Sequence, residues 1–107
     1  MDVRWLQVAV HEARDARRFY DEQRASLGSE FLAELETAIE RIRSYPKAWP
    51  LIDEPVRRTV VNRFPYLVHY LEDDRGILVI GVYHSRRAPI SWQRRLKSGH
   101  SGRDVPE

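Results

Sequence analysis

Apolar and polar positions alternate along this chain with two different periods, and the change of period divides it into elements. Over residues 3–8, Val3, Trp5 and Gln7 alternate with Arg4, Leu6 and Val8, predicting a short strand that must find its pairing partner much later in the chain. From Val10 to Arg24 the period lengthens. Ala9, Ala13, Ala16 and Tyr20 fall on one helical stripe, widened by Phe19, while Glu12, Asp15, Arg18 and Glu22 form a solvated opposite face. Ser26-Leu27-Gly28-Ser29 reads as a turn in which Gly28 supplies positive φ and Ser26 or Ser29 caps the next helix. That helix is expected over 29–45, with Phe31, Leu35, Ala38, Ile42 and Tyr45 on its stripe, Leu32 and Ile39 beside it, and Pro46 ending it.

After this helical hairpin, residues 46–55 (PKAWPLIDEP) are expected to be a proline-stiffened loop whose Trp49, Leu51 and Ile52 tuck over the edge of the core. A period of two then returns. Residues 56–62 read as a strand and Pro65 interrupts the ladder. In the next strand, 66–72, Tyr66, Val68 and Tyr70 face one way and Leu67, His69 and Leu71 the other. Asp73-Asp74-Arg75-Gly76 is a hairpin turn. Residues 77–84 are apolar on both faces, the mark of a central strand, and Gly81 within them implies a bulge or a close backbone approach. After Pro89, residues 90–96 are expected to form a short turn or helix anchored by Trp92, and 97–107 a disordered polar tail. The reading is a single α+β domain over residues 1–96.

With 107 residues the chain suffices for one modest core. No apolar run is long enough to span a membrane and no signal-peptide layout opens the chain, so a cytoplasmic protein is expected. The absence of cysteine excludes disulfides and thiolate chemistry. The net charge of +2 hides an asymmetry. Residues 1–55 carry 8 basic and 11 acidic side chains, a balance of −3, whereas residues 56–107 carry 10 and 5, a balance of +5. The basic residues are almost all arginine, whose planar fork suits phosphate and carboxylate, so the second half is expected to meet an acidic or nucleic-acid partner.

The candidate binding set is Arg57, Arg58, Arg63, Arg86, Arg87, Arg94 and Arg95, expected to gather on the exposed side of the sheet. Alternation along a strand requires Arg57 and Arg58 to point to opposite faces. His84 beside Arg86 and Arg87 offers a proton-transfer group next to guanidinium groups able to stabilise a phosphorane; the plainer reading is a strand-ending histidine bonded to the backbone. Tyr66 and Tyr70 are read as packing residues before stacking platforms, and Trp92 as a core plug. His11, His69 and His100 have no metal-ligand spacing, and no Gly-rich phosphate loop, Ser-His-Asp order or carboxylate pair occurs, so neither metal nor cofactor is expected.

R-x-x-x-x-R-F-P-Y-x-V-x-Y from Arg58 to Tyr70, an acidic turn, and then V-x-H-x-x-R-x-P-x-x-W ending at Trp92 resemble the RelE/ParE superfamily of type II toxins, the plasmid stabilisation proteins. Ala9, Tyr20, Leu27-Gly28, Phe31 and Tyr45-Pro46 fit the same family, and the resemblance covers roughly residues 3–95. It implies a small α+β fold with an N-terminal strand, a helical hairpin and a three-stranded antiparallel meander packed on the helices. It also implies an antitoxin partner that holds the toxin inactive. RelE-like members cut mRNA on the ribosome, and the resemblance would give that metal-independent endonuclease role to Arg63, His84 and Arg87. ParE-like members instead inhibit DNA gyrase and have no hydrolytic site. Here Arg87 matches the arginine after the last strand, but Tyr66, Leu67, Val68 and His69 stand where the nucleases carry arginine, and Trp92 stands where they carry tyrosine. The comparison therefore favours ParE-like gyrase inhibition, with ribosome-dependent mRNA cleavage, or an antitoxin-binding module without toxicity, as alternatives.

Overall fold

A computed structural model describes residues 2–87 and 92–98. The elements run β1 (Val3–Trp5), α1 (Gln7–Gln23), α2 (Leu27–Ser44), β2 (Leu51–Asp53), β3 (Val56–Val61), β4 (Tyr66–Asp73), β5 (Gly76–His84) and α3 (Trp92–Ser98). The sheet has the order β1-β5-β4-β3-β2, with β1 parallel to β5 and every other pair antiparallel. Lys97 and Ser98, expected to open the polar tail, are the last residues of α3, and the onset expected for that helix, at residue 90, and residues 99–107 lie outside the described residues. No helix among the described residues is long and apolar enough to cross a membrane.

The helical hairpin covers one face of the sheet. Ala9, Ala13 and Ala16 are fully buried, and their small size lets α1 lie close to β5. Phe31, Leu35, Ala38 and Ile42 are the buried stripe of α2, and Val61, Val68, Tyr70, Ile77, Val79 and Val82 complete this core from below. The other face carries a smaller core of Leu6, Val56, Leu71, Leu78 and Ile80, against which Trp92 and Leu96 of α3 pack. β5 is buried along nearly its whole length because both layers rest on it.

Several local expectations fail for identifiable reasons. Gln7 and Val8 belong to α1 rather than to β1, because the chain leaves the sheet once Leu6 N–H has reached the Val79 carbonyl. Phe19 and Tyr45 lie at the margins of their stripes and are exposed, as are Leu51 and Ile52. Residues 51–53 are an edge strand, not loop; Arg57 and Tyr70, partners across β3 and β4, donate to the carbonyls of Trp49 (2.6 Å) and Pro46 (2.7 Å) and so hold the preceding segment against the sheet. Gly28 is helical, and the positive φ between the helices belongs to Ser26 (71°), with no side-chain cap. Glycine is needed at position 28 for space: a Cβ would collide with the Arg17 carbonyl oxygen and the Asp21 carboxylate, which accepts the Gly28 N–H at 2.8 Å. Gly28→Ala should therefore cost about 1–3 kcal/mol, read from urea midpoints, because the two helices must part.

Candidate functional site: two sheet edges and an uncovered strip

Both edges of the sheet end early, and charged side chains from the helices complete them. β1 accompanies β5 only as far as Val79. Beyond it, Glu12 of α1 accepts the Val82 N–H at 3.0 Å, while Arg95 of α3 donates to the Ile80 carbonyl at 2.9 Å. Arg95 also grips Glu12 through two bonds of 2.9 and 2.8 Å, the parallel fork that guanidinium makes with carboxylate, and Arg87 adds a third contact at 3.3 Å. The bulge predicted at Gly81 is present: the β4–β5 register shifts there, and the missing side chain leaves room for Arg95, whose Nη1 would lie 3.0 Å from a Cβ. At the opposite edge, past the end of β2, Arg41 of α2 donates to the Val60 carbonyl at 3.3 Å.

The face away from the helical hairpin is built in rows across three strands. Val56, Leu71 and Leu78 lie under α3. The next row is Arg58, His69 and Gly81, and the one after it Val60, Leu67 and Tyr83. His69 is 4% exposed, its Nε2 shares a hydrogen bond with the Tyr83 hydroxyl, and its ring meets that of Tyr83 edge-on at 4.7 Å. Burial, with the positive charges of Arg58 and Arg95 added, holds the His69 pKa down at about 4. Burial pushes the Tyr83 hydroxyl up, against the opposing influence of Arg58. No described carboxylate forms an ion pair with Arg58, which is exposed.

The other residues singled out in the sequence are dispersed. Arg57 lies on the helical side, bound to loop carbonyls, and Arg58 on the opposite side, as strand alternation requires. Arg63, at φ 72°, turns toward α2 and pairs with Glu30 (2.8 Å) and Glu34 (3.5 Å). His84 packs edge-on against Tyr66, and its Nδ1 accepts the Arg86 N–H at 3.1 Å, the strand-ending role. Arg86 is exposed in the turn after β5, Arg87 and Arg95 meet on Glu12, and Arg94 is exposed on α3. The single patch expected of all these arginines does not form. Alternation splits the strand residues between two faces, and acidic helix residues take Arg63 and Arg87.

A family model described as the ParE toxin of the type II toxin–antitoxin system parDE matches residues 3–89. The chain belongs to the ParE toxin family. Ten chains of solved structures match it. One comes from a structure titled "Chromosomal ParDE TA system from P. aeruginosa", with a TM-score of 0.59 at 13% identity over 78% of this chain and 95% of the other, a likeness of fold. No curated protein matches.

In this ParE-family chain the residues that sequence reasoning passed over are Glu12, His69 and Tyr83. Glu12 looked like one acid among several on a solvated helix face; its burial follows from the length of β1, which no local pattern reveals. His69 stood on the correct strand and face and Tyr83 on the correct strand, but their pairing follows from the β4–β5 register. The His69 environment yields a pH prediction. A histidine whose folded pKa lies below its unfolded value of about 6.5 binds its proton more readily when unfolded. Stability should therefore fall as pH drops from about 6.5 toward 4, by up to about 3 kcal/mol. Urea unfolding across this range should show the loss in the wild type and a flatter profile in His69→Gln; parallel profiles would contradict the assignment.

Proposed function

We propose that the chain is the toxin of a type II toxin–antitoxin pair, acting in the cytoplasm, neutralised by a cognate antitoxin, and inhibiting DNA gyrase by binding rather than cutting RNA. Membership of the ParE toxin family supports the first part. The dispersal of Arg63, His84 and Arg87 carries the choice of target. Arg63 is held by Glu30 and Glu34, Arg87 by Glu12, and the His84 Nδ1 by a backbone N–H. General acid–base cleavage needs a proton-transfer group and a charge-stabilising group that are free to meet one scissile phosphate. A binding inhibitor needs surface complementarity alone.

Expression without a partner should arrest growth, with induction of the DNA-damage response and stabilised gyrase cleavage complexes in purified reactions. Ribosome-dependent mRNA cleavage predicts immediate translation arrest and cut transcripts instead, and loss of toxicity by at least about 100-fold in His84→Ala and Arg87→Ala. Growth arrest that survives both substitutions excludes that chemistry, and cut transcripts that disappear with them exclude the gyrase reading. A harmless chain would leave the antitoxin-binding module as the remaining reading.

A further inference from the structure

α1 has three sides. Ala9, Ala13 and Ala16 face the sheet, and Arg17 and Asp21 lie against α2, where the Asp21 carboxylate accepts the Gly28 N–H. The third side carries Val8, His11, Asp15 and Phe19, spaced i, i+3, i+7 and i+11 along one stripe of the helix. All four are exposed, Val8 by 38% and Phe19 by 50%. We propose that this stripe is a homodimer contact, in which α1 of one copy lies antiparallel against α1 of a second copy across a two-fold axis. The proposal goes beyond the toxin–antitoxin reading and does not depend on it.

Self-complementarity selects a second copy as the occupant. Across a two-fold axis, residue i meets residue j and j meets i. The midpoints of Val8–Phe19 and of His11–Asp15 both fall at Ala13, within half a residue of each other, about 0.8 Å along the helix. One axis therefore sets Val8 of each copy against Phe19 of the other and His11 of each against Asp15 of the other. The Gln7 amide, one turn earlier, lies 3.1 Å from His11 Nε2 and leaves Nδ1 for the facing carboxylate. Asp15 is open to it: its contact with Arg18 is 3.7 Å long, and the two side chains are 74% and 73% exposed. Glu12 borders the stripe and would oppose Asp15 of the other copy, but the Val82 N–H and Arg95 draw its carboxylate inward, to 11% exposure. Nucleic acid is a poor occupant, because Asp15 and Glu22, one turn to either side of Phe19, repel phosphate. The contact is one face of one 17-residue helix, which places it among interfaces under about 1,200 Å², where association is weak and reversible.

The test follows the full-length chain by sedimentation equilibrium across the micromolar range. The wild type should pass from monomer to dimer with a Kd on the order of 10–100 µM. Phe19→Asp should weaken association by at least about 10-fold, while Val60→Asp, an exposed apolar position on β3, should leave it within about 2-fold. Circular dichroism and melting should show both variants folded, since both side chains are exposed. His11→Glu sets like charges against Asp15 of the other copy, and Asp15→Lys removes the carboxylate that His11 meets; each should weaken association by about 5-fold or more. An equimolar mixture of these two variants should recover the wild-type affinity, because each then offers the group that the other lacks. A folding defect could not be mended by mixing. A wild type that stays monomeric throughout overturns the proposal. So does a mixture that stays monomeric, or a dimer that survives Phe19→Asp and is lost in Val60→Asp. Each of these results leaves the toxin–antitoxin reading standing.

Discussion

Glu12→Ala is expected to destabilise the fold by about 3–5 kcal/mol, because it breaks a largely buried ion pair by removing one partner only. The Glu12 and Arg95 side chains are 11% and 16% exposed, so Arg95 would keep its charge in a poorly solvated site. The Val82 N–H would lose its acceptor at the same time, at a place where β1 no longer supplies one. α1, β5 and α3 all meet on this carboxylate, so the loss should appear as a shift of the whole cooperative transition. For a domain of this size the melting temperature should fall by on the order of 15–25 °C. Glu12→Gln keeps an oxygen for Val82 and loses the charge facing Arg95, and should fall between wild type and alanine. Hydrogen exchange gives a second check: the Val82 amide should lose protection in Glu12→Ala and retain much of it in Glu12→Gln. Equal stability of all three would mean that the carboxylate holds nothing.

Phe31→Ala should cost a comparable amount, about 3–5 kcal/mol, by a different mechanism. Phe31 is fully buried where α2 crosses the sheet, with the rings of Tyr20, Phe64 and Tyr66 at 5.5, 5.3 and 5.1 Å. Truncation removes the apolar area of the ring and leaves a cavity whose walls are rigid rings, unable to close upon it. Near-ultraviolet dichroism from Tyr20 and Tyr66 should weaken along with the urea midpoint. Phe31→Leu, which fills most of the space, should cost less than about 2 kcal/mol. Phe19→Ala is the contrasting control, because Phe19 is 50% exposed although it stands in the neighbouring helix beside Tyr20; its effect should stay within about 0.5 kcal/mol.

The contrast between Phe19 and Phe31 shows how far a helical stripe can be read. Position along the stripe identified Phe31, Leu35, Ala38 and Ile42 correctly, since these face the sheet whatever its exact placement. At the margins the outcome depends on how wide the sheet is beneath the helix, and there Phe19 and Tyr45 emerge into solvent. Gly28 and Gly81 give a similar lesson. Each was recognised as an exceptional position, but the reason differs: Gly28 yields space to the facing helix, and Gly81 yields space to an arginine from α3. A glycine in a sequence announces a constraint without naming what approaches it.

The sequence alone determined the order of the elements apart from the edge strand β2, the α+β class, the two-faced alternation of β4 and the resemblance to a toxin superfamily. All of these depend on local periodicity, turn chemistry and residue order, which are written along the chain. Tertiary structure decided which charges meet. Arg57 and Arg58 are neighbours in sequence and lie on opposite sides of the sheet, whereas Glu12, Arg87 and Arg95 are joined across more than seventy residues. The physical reason is that a guanidinium finds its partner according to strand register, strand length and helix placement, and these are set by how the whole core closes. The same closure leaves Val60 bare beside Arg58, which no stretch of the chain, read by itself, could have disclosed.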